Sequence, residues 1–212
     1  MTRAGRIACA VAAILAAGAA LEGCRRPGPV VPGAGEPLTF TTDDGVTLAA
    51  TFYSVATAPD GGPPGLVLIH DEGGDRSIWR PFARKAVQSG YACLAFDLRG
   101  HGESVRKNGA TLVYSTFRAE NWRDALHDID AARRALLGCG ADPSNIALAG
   151  AGVGANLALL YAEAHSEVPA VVLLSPGLEY QGLSIRDAIV ATGARPVLLM
   201  TASGDAYSAM SC

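Results

Sequence analysis

Four short stretches of this sequence carry residue types whose spacing could do chemistry. Ile146 to Leu159 reads as an apolar strand, then the tiny residues Gly150-Ala151-Gly152-Val153-Gly154-Ala155, then a helix. Tiny residues between a strand and a helix allow a sharp turn, with one residue lifted above the sheet and the first helical amides aimed beside it. Asp97-Leu98-Arg99-Gly100-His101-Gly102-Glu103-Ser104 follows a second apolar run and brings acid, base and imidazole together. Ile69-His70 leads into Gly73-Gly74, and Asp205 closes Thr201-Ala202-Ser203-Gly204-Asp205 after a last apolar run. At the centre of the strand-to-helix turn stands Gly152. Glycine has no side-chain atom with which to form a covalent intermediate.

The elements that must hold these stretches are legible from their periodicity. Leu38 to Tyr53 reads as strand, Asp43-Asp44-Gly45 turn, strand, an antiparallel hairpin. After the Pro- and Gly-rich loop 59–65, continuous apolar runs occur at Leu66 to Ile69, Ala92 to Phe96, Ile146 to Ala149, Val171 to Leu174 and Val197 to Met200. Such runs suit strands covered on both faces. Helices are expected near 78–89, 120–138, 153–166 and 184–192, the second being the clearest because Trp122, Leu126, Ile129 and Leu136 recur at helical steps. The expected fold is α/β: a mostly parallel sheet with an N-terminal antiparallel hairpin and flanking helices.

With these elements in place, Gly150 to Gly154 resembles the GxSxG nucleophile elbow of the α/β-hydrolase family. Asp97 to Ser104 is similar to that family's DxRGHGxS loop, and His70 with Gly73-Gly74 to the loop after its third strand. Asn121-Trp122-Arg123-Asp124 with Asp128-Ile129 is similar to the helix ahead of its elbow strand. The resemblance, to the dienelactone-hydrolase-like or serine-aminopeptidase-like kind, covers roughly residues 38 to 207. It implies ester, thioester or amide hydrolysis by a serine, a histidine and an acid, with two backbone amides stabilising the oxyanion. On that pattern Gly152 takes the nucleophile's place and Asp205 the acid's. Glu72 and Val153 supply the oxyanion amides, while His70, Asp97, Arg99 and His101 support the site from its loops.

The expectation is therefore a chain without an intact catalytic set. The family's histidine follows one further strand after the acid, whereas His70, His101, His127 and His165 all lie earlier in the chain. A weakly active esterase with Ser104 or Ser175 as a non-standard nucleophile is one alternative, and a non-catalytic ligand- or partner-binding protein is another. Gly150-Ala151-Gly152-Val153-Gly154-Ala155 also satisfies the GxGxxG/A dinucleotide fingerprint. That fingerprint wants an acid at the end of the next strand, which here ends Leu174-Ser175-Pro176, so no cofactor is expected. No cysteine spacing suggests a metal site.

Arg3 and Arg6, an apolar run from Ile7 to Leu21 and small residues up to Cys24 read as an export signal over residues 1–24, too short to span a bilayer. Leu21-Glu22-Gly23-Cys24 resembles a bacterial lipobox, implying a lipidated Cys24 and a membrane-anchored protein on the periplasmic or cell-surface side. An ordinary signal peptide with an incidental cysteine is the alternative. Residues 25–37, rich in proline and glycine, read as a tether, and 38–212 as the folded domain. With 17 basic and 20 acidic residues, nothing suits nucleic acid. An exported compartment permits, without requiring, a Cys139 to Cys212 disulfide. Against the family pattern the domain reads as short at its C-terminal end, which leaves the apolar strand 197–200 as an edge open to self-association. A small-molecule ligand in the remaining cleft is the other expected partner.

Overall fold

The computed structural model describes residues 34–211. The export signal, Cys24, most of the tether and Cys212 lie outside the described residues. Two strands, β1 (Glu36–Thr41) and β2 (Val46–Tyr53), form the expected antiparallel hairpin, so Glu36 and Pro37 belong to the first strand rather than to the tether. Thr42 Oγ1 accepts the Val46 amide at 2.8 Å and Gly45 takes φ +86°, which closes the turn.

The chain then alternates strand and helix. β3 (Gly65–Ile69) is followed by α1 (Arg80–Gln88), entered through a 3₁₀ turn at Arg76–Trp79. β4 (Ala92–Phe96) leads through a loop and a small hairpin, β5 (Arg106–Lys107) and β6 (Ala110–Thr111), to α2 (Ala119–Asp124) and α3 (Leu126–Gly138). β7 (Ile146–Ala151), α4 (Val153–Ala164) and β8 (Val171–Leu174) come next. A second small hairpin, β9 (Glu179–Tyr180) and β10 (Leu183–Ser184), precedes α5 (Arg186–Ala191), β11 (Val197–Met200) and α6 (Ala206–Ser211).

The main sheet runs β11-β8-β7-β3-β4-β2-β5-β6, with β1 paired to β2. The five strands from β11 to β4 are mutually parallel, and β2 joins antiparallel to β4. Both faces are covered, which explains the continuous apolar runs. On one face Trp79, Ala83 and Val87 pack over Leu68, Cys93 and Ala95. On the other, Trp122, Ile129, Leu136, Leu157 and Tyr161 pack over Val67, Leu94 and Leu148. Each fully buried large side chain of this layer contributes about 1.5–3 kcal/mol relative to an exposed one.

The single helix expected over 120–138 is two helices meeting at Ala125. There the Ala125 amide donates to Trp122 O and the Asp128 amide to Ala125 O, both at 3.1 Å, so i to i−3 bonds tighten the chain by a fraction of a turn. Trp122, Ala125, Asp128 and Ile129 are all buried as a result. Periodicity alone joins the two segments because the tightening leaves the apolar spacing almost unchanged.

Neither small hairpin follows from the hydrophobic pattern. β5 and β6 are polar and two residues long, but Asn108-Gly109 between them, at φ +48° and +85°, is a strong hairpin turn signal. Strand β11 lies at the edge of the sheet, with Leu198, Leu199 and Met200 each at least 41% exposed. Among the described residues no helix is long and apolar enough to cross a membrane.

Candidate active site

Residue register places the candidate site. β3 lies between β4 and β7, so the chain leaves β3 in one direction and returns to its other side, making the crevice beyond the carboxyl ends of β3 and β7 a topological switch point. Ile69 is opposite Gly150 in that pairing. Two residues beyond that pair, past the ends of both strands, Asp71 and Gly152 meet across the two turns.

The turn after β7 is sharp, and glycine stands at its centre. Gly152 has φ +52° and ψ −120°, a region that side-chain-bearing residues adopt only when the surroundings impose it. The neighbouring glycines are required by close approach. A Cβ at Gly154 would lie 2.6 Å from Ile69 O, and one at Gly150 would lie 2.6 Å from the Ala155 nitrogen. A Cβ at Gly152 would fall on the Asp71 carboxyl group, deep inside van der Waals contact with its Oδ1 and Cγ.

The two amides expected to form the oxyanion hole converge, and they are engaged. The Glu72 amide donates to Asp71 Oδ1 at 2.7 Å and the Val153 amide donates to the same oxygen at 2.9 Å. Val153 opens α4, so the positive end of the helix dipole adds to the attraction. Asp71 was not singled out from sequence, because no motif marks the position after His70. Its only sequence signal is indirect: an acid on the loop that must face a side-chain-free turn. Its backbone is pinned, since Asp71 O accepts the Gly74 amide at 3.1 Å and lies 2.7 Å from His70 Nδ1.

His70 is fully buried and both of its nitrogens are committed. Nε2 accepts the Leu98 amide at 2.9 Å, so the proton is assigned to Nδ1, which donates to Asp71 O. Burial pushes its pKa down to about 4, so the ring is neutral at pH 7 and joins the two loops. His101 is also pushed down by burial, and its ring stacks on Tyr114 at 4.0 Å between centroids. Its Nδ1 lies 2.9 Å from Arg99 O, while its Nε2 is buried without a hydrogen-bond partner among the described residues. His127 is exposed on α3. His165 stacks on Tyr161 at the far end of α4, about 18 Å along the helix from the elbow. None of the four is arranged as a base beside Gly152.

The Asp97 to Ser104 loop is a structural staple. Asp97 is buried and accepts the Arg76 amide at 2.8 Å and the Glu103 amide at 2.9 Å, with the Arg76 guanidinium paired to it. The Arg99 side chain donates to Asp128 Oδ1 through Nε at 2.9 Å and Nη2 at 2.8 Å, and reaches Asp44 in the first hairpin turn at 2.9 and 3.0 Å. That ties the loop to α3 and to the β1–β2 turn. Ser104 is buried, its Oγ accepting the Ala49 amide at 2.9 Å, so it is part of this staple and is not presented to the crevice.

Asp205 lies just past β11 and caps α6. Its Oδ1 accepts the Ser208 amide at 3.0 Å and its Oδ2 the Ser208 hydroxyl at 2.7 Å, and these bonds, with a further one from the Ser175 side chain, hold its carboxyl below the usual range. No histidine is among its hydrogen-bond partners among the described residues. Ser175, at the end of β8, takes φ +48°, and its amide donates to Met200 O at 2.7 Å. The β9–β10 hairpin reaches the cradle from the other side, Gln181 Nε2 donating to Glu72 Oε2 at 2.7 Å. A cleft of about 600 Å³ lined by Tyr53, Arg76, Arg80, Arg84 and Glu103 lies elsewhere, and none of Asp71, Glu72, Gly152 or Val153 borders it. Among the described residues no cluster of His, Cys, Asp or Glu is arranged to hold a metal ion. The dinucleotide alternative meets the same geometry: the Val153 amide that would face a phosphate is bound to Asp71.

Comparisons with known proteins agree with the fold. The model of the alpha/beta hydrolase family matches residues 66–210. The quorum-quenching protein AidA of Acinetobacter baumannii is 28% identical over 197 residues, 85% of this chain and 62% of that protein. An uncharacterized protein of Mycobacterium tuberculosis is 28% identical over 106 residues, 50% of this chain and 37% of its own length. The chain thus spans about three fifths or less of the curated relatives it matches. Among solved structures, the hydrolase GrgF from Penicillium sp. sh18 superposes with a TM-score of 0.57 at 23% identity, covering 67% of this chain and 46% of that one. The thioesterase domain from the curacin biosynthetic pathway does so with a TM-score of 0.54 at 19% identity, covering 74% and 50%. At those identities the structures speak for the fold.

Proposed function

This chain belongs to the alpha/beta hydrolase family, and from that premise we propose that it is a non-catalytic member, one that keeps the family's elbow and oxyanion cradle without turning over an ester, thioester or amide. The observation that carries the proposal is Gly152. It sits in the elbow with the elbow's backbone angles, has no side chain, and has the Asp71 carboxylate in the space a side chain would need. Removing a serine nucleophile of this kind lowers turnover by a factor on the order of a million. The histidine assignments support the same conclusion, because His70 is neutral, buried and doubly hydrogen-bonded. What remains for such a domain is binding, of a small molecule or a partner, at the crevice above β3 and β7.

The test is a screen with short p-nitrophenyl esters. Rates equal to those of a Gly152→Ala control are expected. Turnover above buffer that disappears in Ser175→Ala or Ser104→Ala would overturn the proposal in favour of a non-standard nucleophile. The name of the Acinetobacter relative makes quorum quenching a second activity to assay in the same samples.

The proposal extends to location. Arg3, Arg6, the Ile7 to Leu21 run and Leu21-Glu22-Gly23-Cys24 support an exported protein held at a membrane surface by acyl chains on Cys24. Metabolic palmitate labelling is expected in the wild type and lost in Cys24→Ala. Equal labelling of the two would rule the anchor out.

A further inference from the structure

We propose that Asp71 is the built-in occupant of the oxyanion cradle, an internal carboxylate that closes the cradle to external carbonyl compounds and whose removal opens it to a small monocarboxylate. Two unlike observations meet at this residue. Electrostatically, one oxygen of its carboxylate accepts both cradle amides, Glu72 at 2.7 Å and Val153 at 2.9 Å, from two different loops. These are charge-assisted bonds to an anion, at the start of a helix of 12 residues. Sterically, the carboxyl group occupies the volume that any Cβ at Gly152 would enter. The carboxylate and a side chain at position 152 therefore exclude each other. Gly152 is thus the residue that makes room for Asp71, as well as a missing nucleophile.

The rest of the loop shows why the closure can be opened without dismantling the site. The Asp71 backbone carbonyl, not its side chain, receives the Gly74 amide and His70 Nδ1–H. The Glu72 side chain is held separately by Gln181. Asp71 itself is exposed, so its carboxylate can rotate into water while the two amides stay in place. An empty pair of convergent amides of this kind is complementary to one oxygen of a carboxylate, which is what the structure shows it holding.

This inference deepens the non-catalytic proposal and is tested separately from it. Ester turnover by the wild type would refute that proposal and leave the following measurement intact. The full 212-residue chain is labelled with ¹⁵N, and the amide resonances of Glu72 and Val153 are followed while sodium acetate replaces sodium chloride at constant ionic strength. In the wild type both amides should sit downfield and stay there. In Asp71→Ala both should move upfield and return saturably with acetate, with apparent affinity at least about tenfold above wild type, equivalent to 1.4 kcal/mol. Gly152→Ala is the second variant: its methyl should expel the carboxylate and move the same two amides upfield with Asp71 still present. Acetate-dependent shifts in the wild type equal to those of Asp71→Ala would overturn the inference. So would a folded Asp71→Ala with no saturable response, or a folded Gly152→Ala with unchanged amides.

Discussion

Lowering the pH should weaken this fold through His70, and the size of the effect follows from its surroundings. The ring is fully buried, accepts the Leu98 amide at Nε2 and donates from Nδ1, so there is no lone pair left for a second proton. Burial takes its pKa from the ordinary 6.5 down to about 4. Between those values the unfolded chain binds the proton and the folded chain does not, so stability rises with pH across that window and is lost as pH falls from 6.5 towards 4. At 1.36 kcal/mol per pH unit the gap corresponds to about 3 kcal/mol once the pH is below both values. Burial also pushes Asp128 up, to about 6, so it titrates in the same window. A comparison of two proteins removes that contribution. Urea unfolding of the wild type and of His70→Gln, measured from about pH 7.5 down to about pH 4.5, should show His70→Gln less stable at the upper end and falling less steeply by about 2–3 kcal/mol. Parallel curves would refute the assignment of a buried neutral imidazole.

Two further perturbations probe the site and its support. Gly152→Ser alone should not create an esterase, because the new side chain meets the Asp71 carboxylate and no imidazole among the described residues is placed to take its proton; clear hydrolysis from that single change would show that a base has been overlooked. Asp128→Ala should destabilise the domain by about 3–5 kcal/mol, since it leaves the buried Arg99 guanidinium without its main counter-ion. A loss below about 1 kcal/mol in urea unfolding would mean that Asp44 alone satisfies Arg99.

Much of the fold was readable because apolar runs and tiny-residue turns act locally. Ala92–Phe96, Val171–Leu174 and Val197–Met200 are strands with the boundaries their composition suggests. Pattern reading failed at Ala125, where a backbone tightening too small to alter the apolar spacing splits one helix into two. It also passed over β5 and β6, whose strength as a hairpin lies in Asn108-Gly109 and not in hydrophobicity. Asp205 shows a different limit. The same carboxylate after a glycine serves a catalytic acid or a helix cap, and its letter does not separate the two; here Ser208 and Ser175 are its partners.

Position 152 divides what the sequence determined from what the tertiary structure decided. That position 152 carries no side chain able to attack is a property of one letter, because no folding event can give glycine an attacking atom. The small residues around it also determine, by themselves, a turn tight enough to be an elbow. What fills the cradle was decided only when β3 and β7 became neighbours. Asp71 and Val153 are 82 positions apart along the chain, and nothing local links them. The parallel pairing of Ile69 with Gly150 brings their two turns face to face, and there a carboxylate, two amides and a missing side chain fit one another.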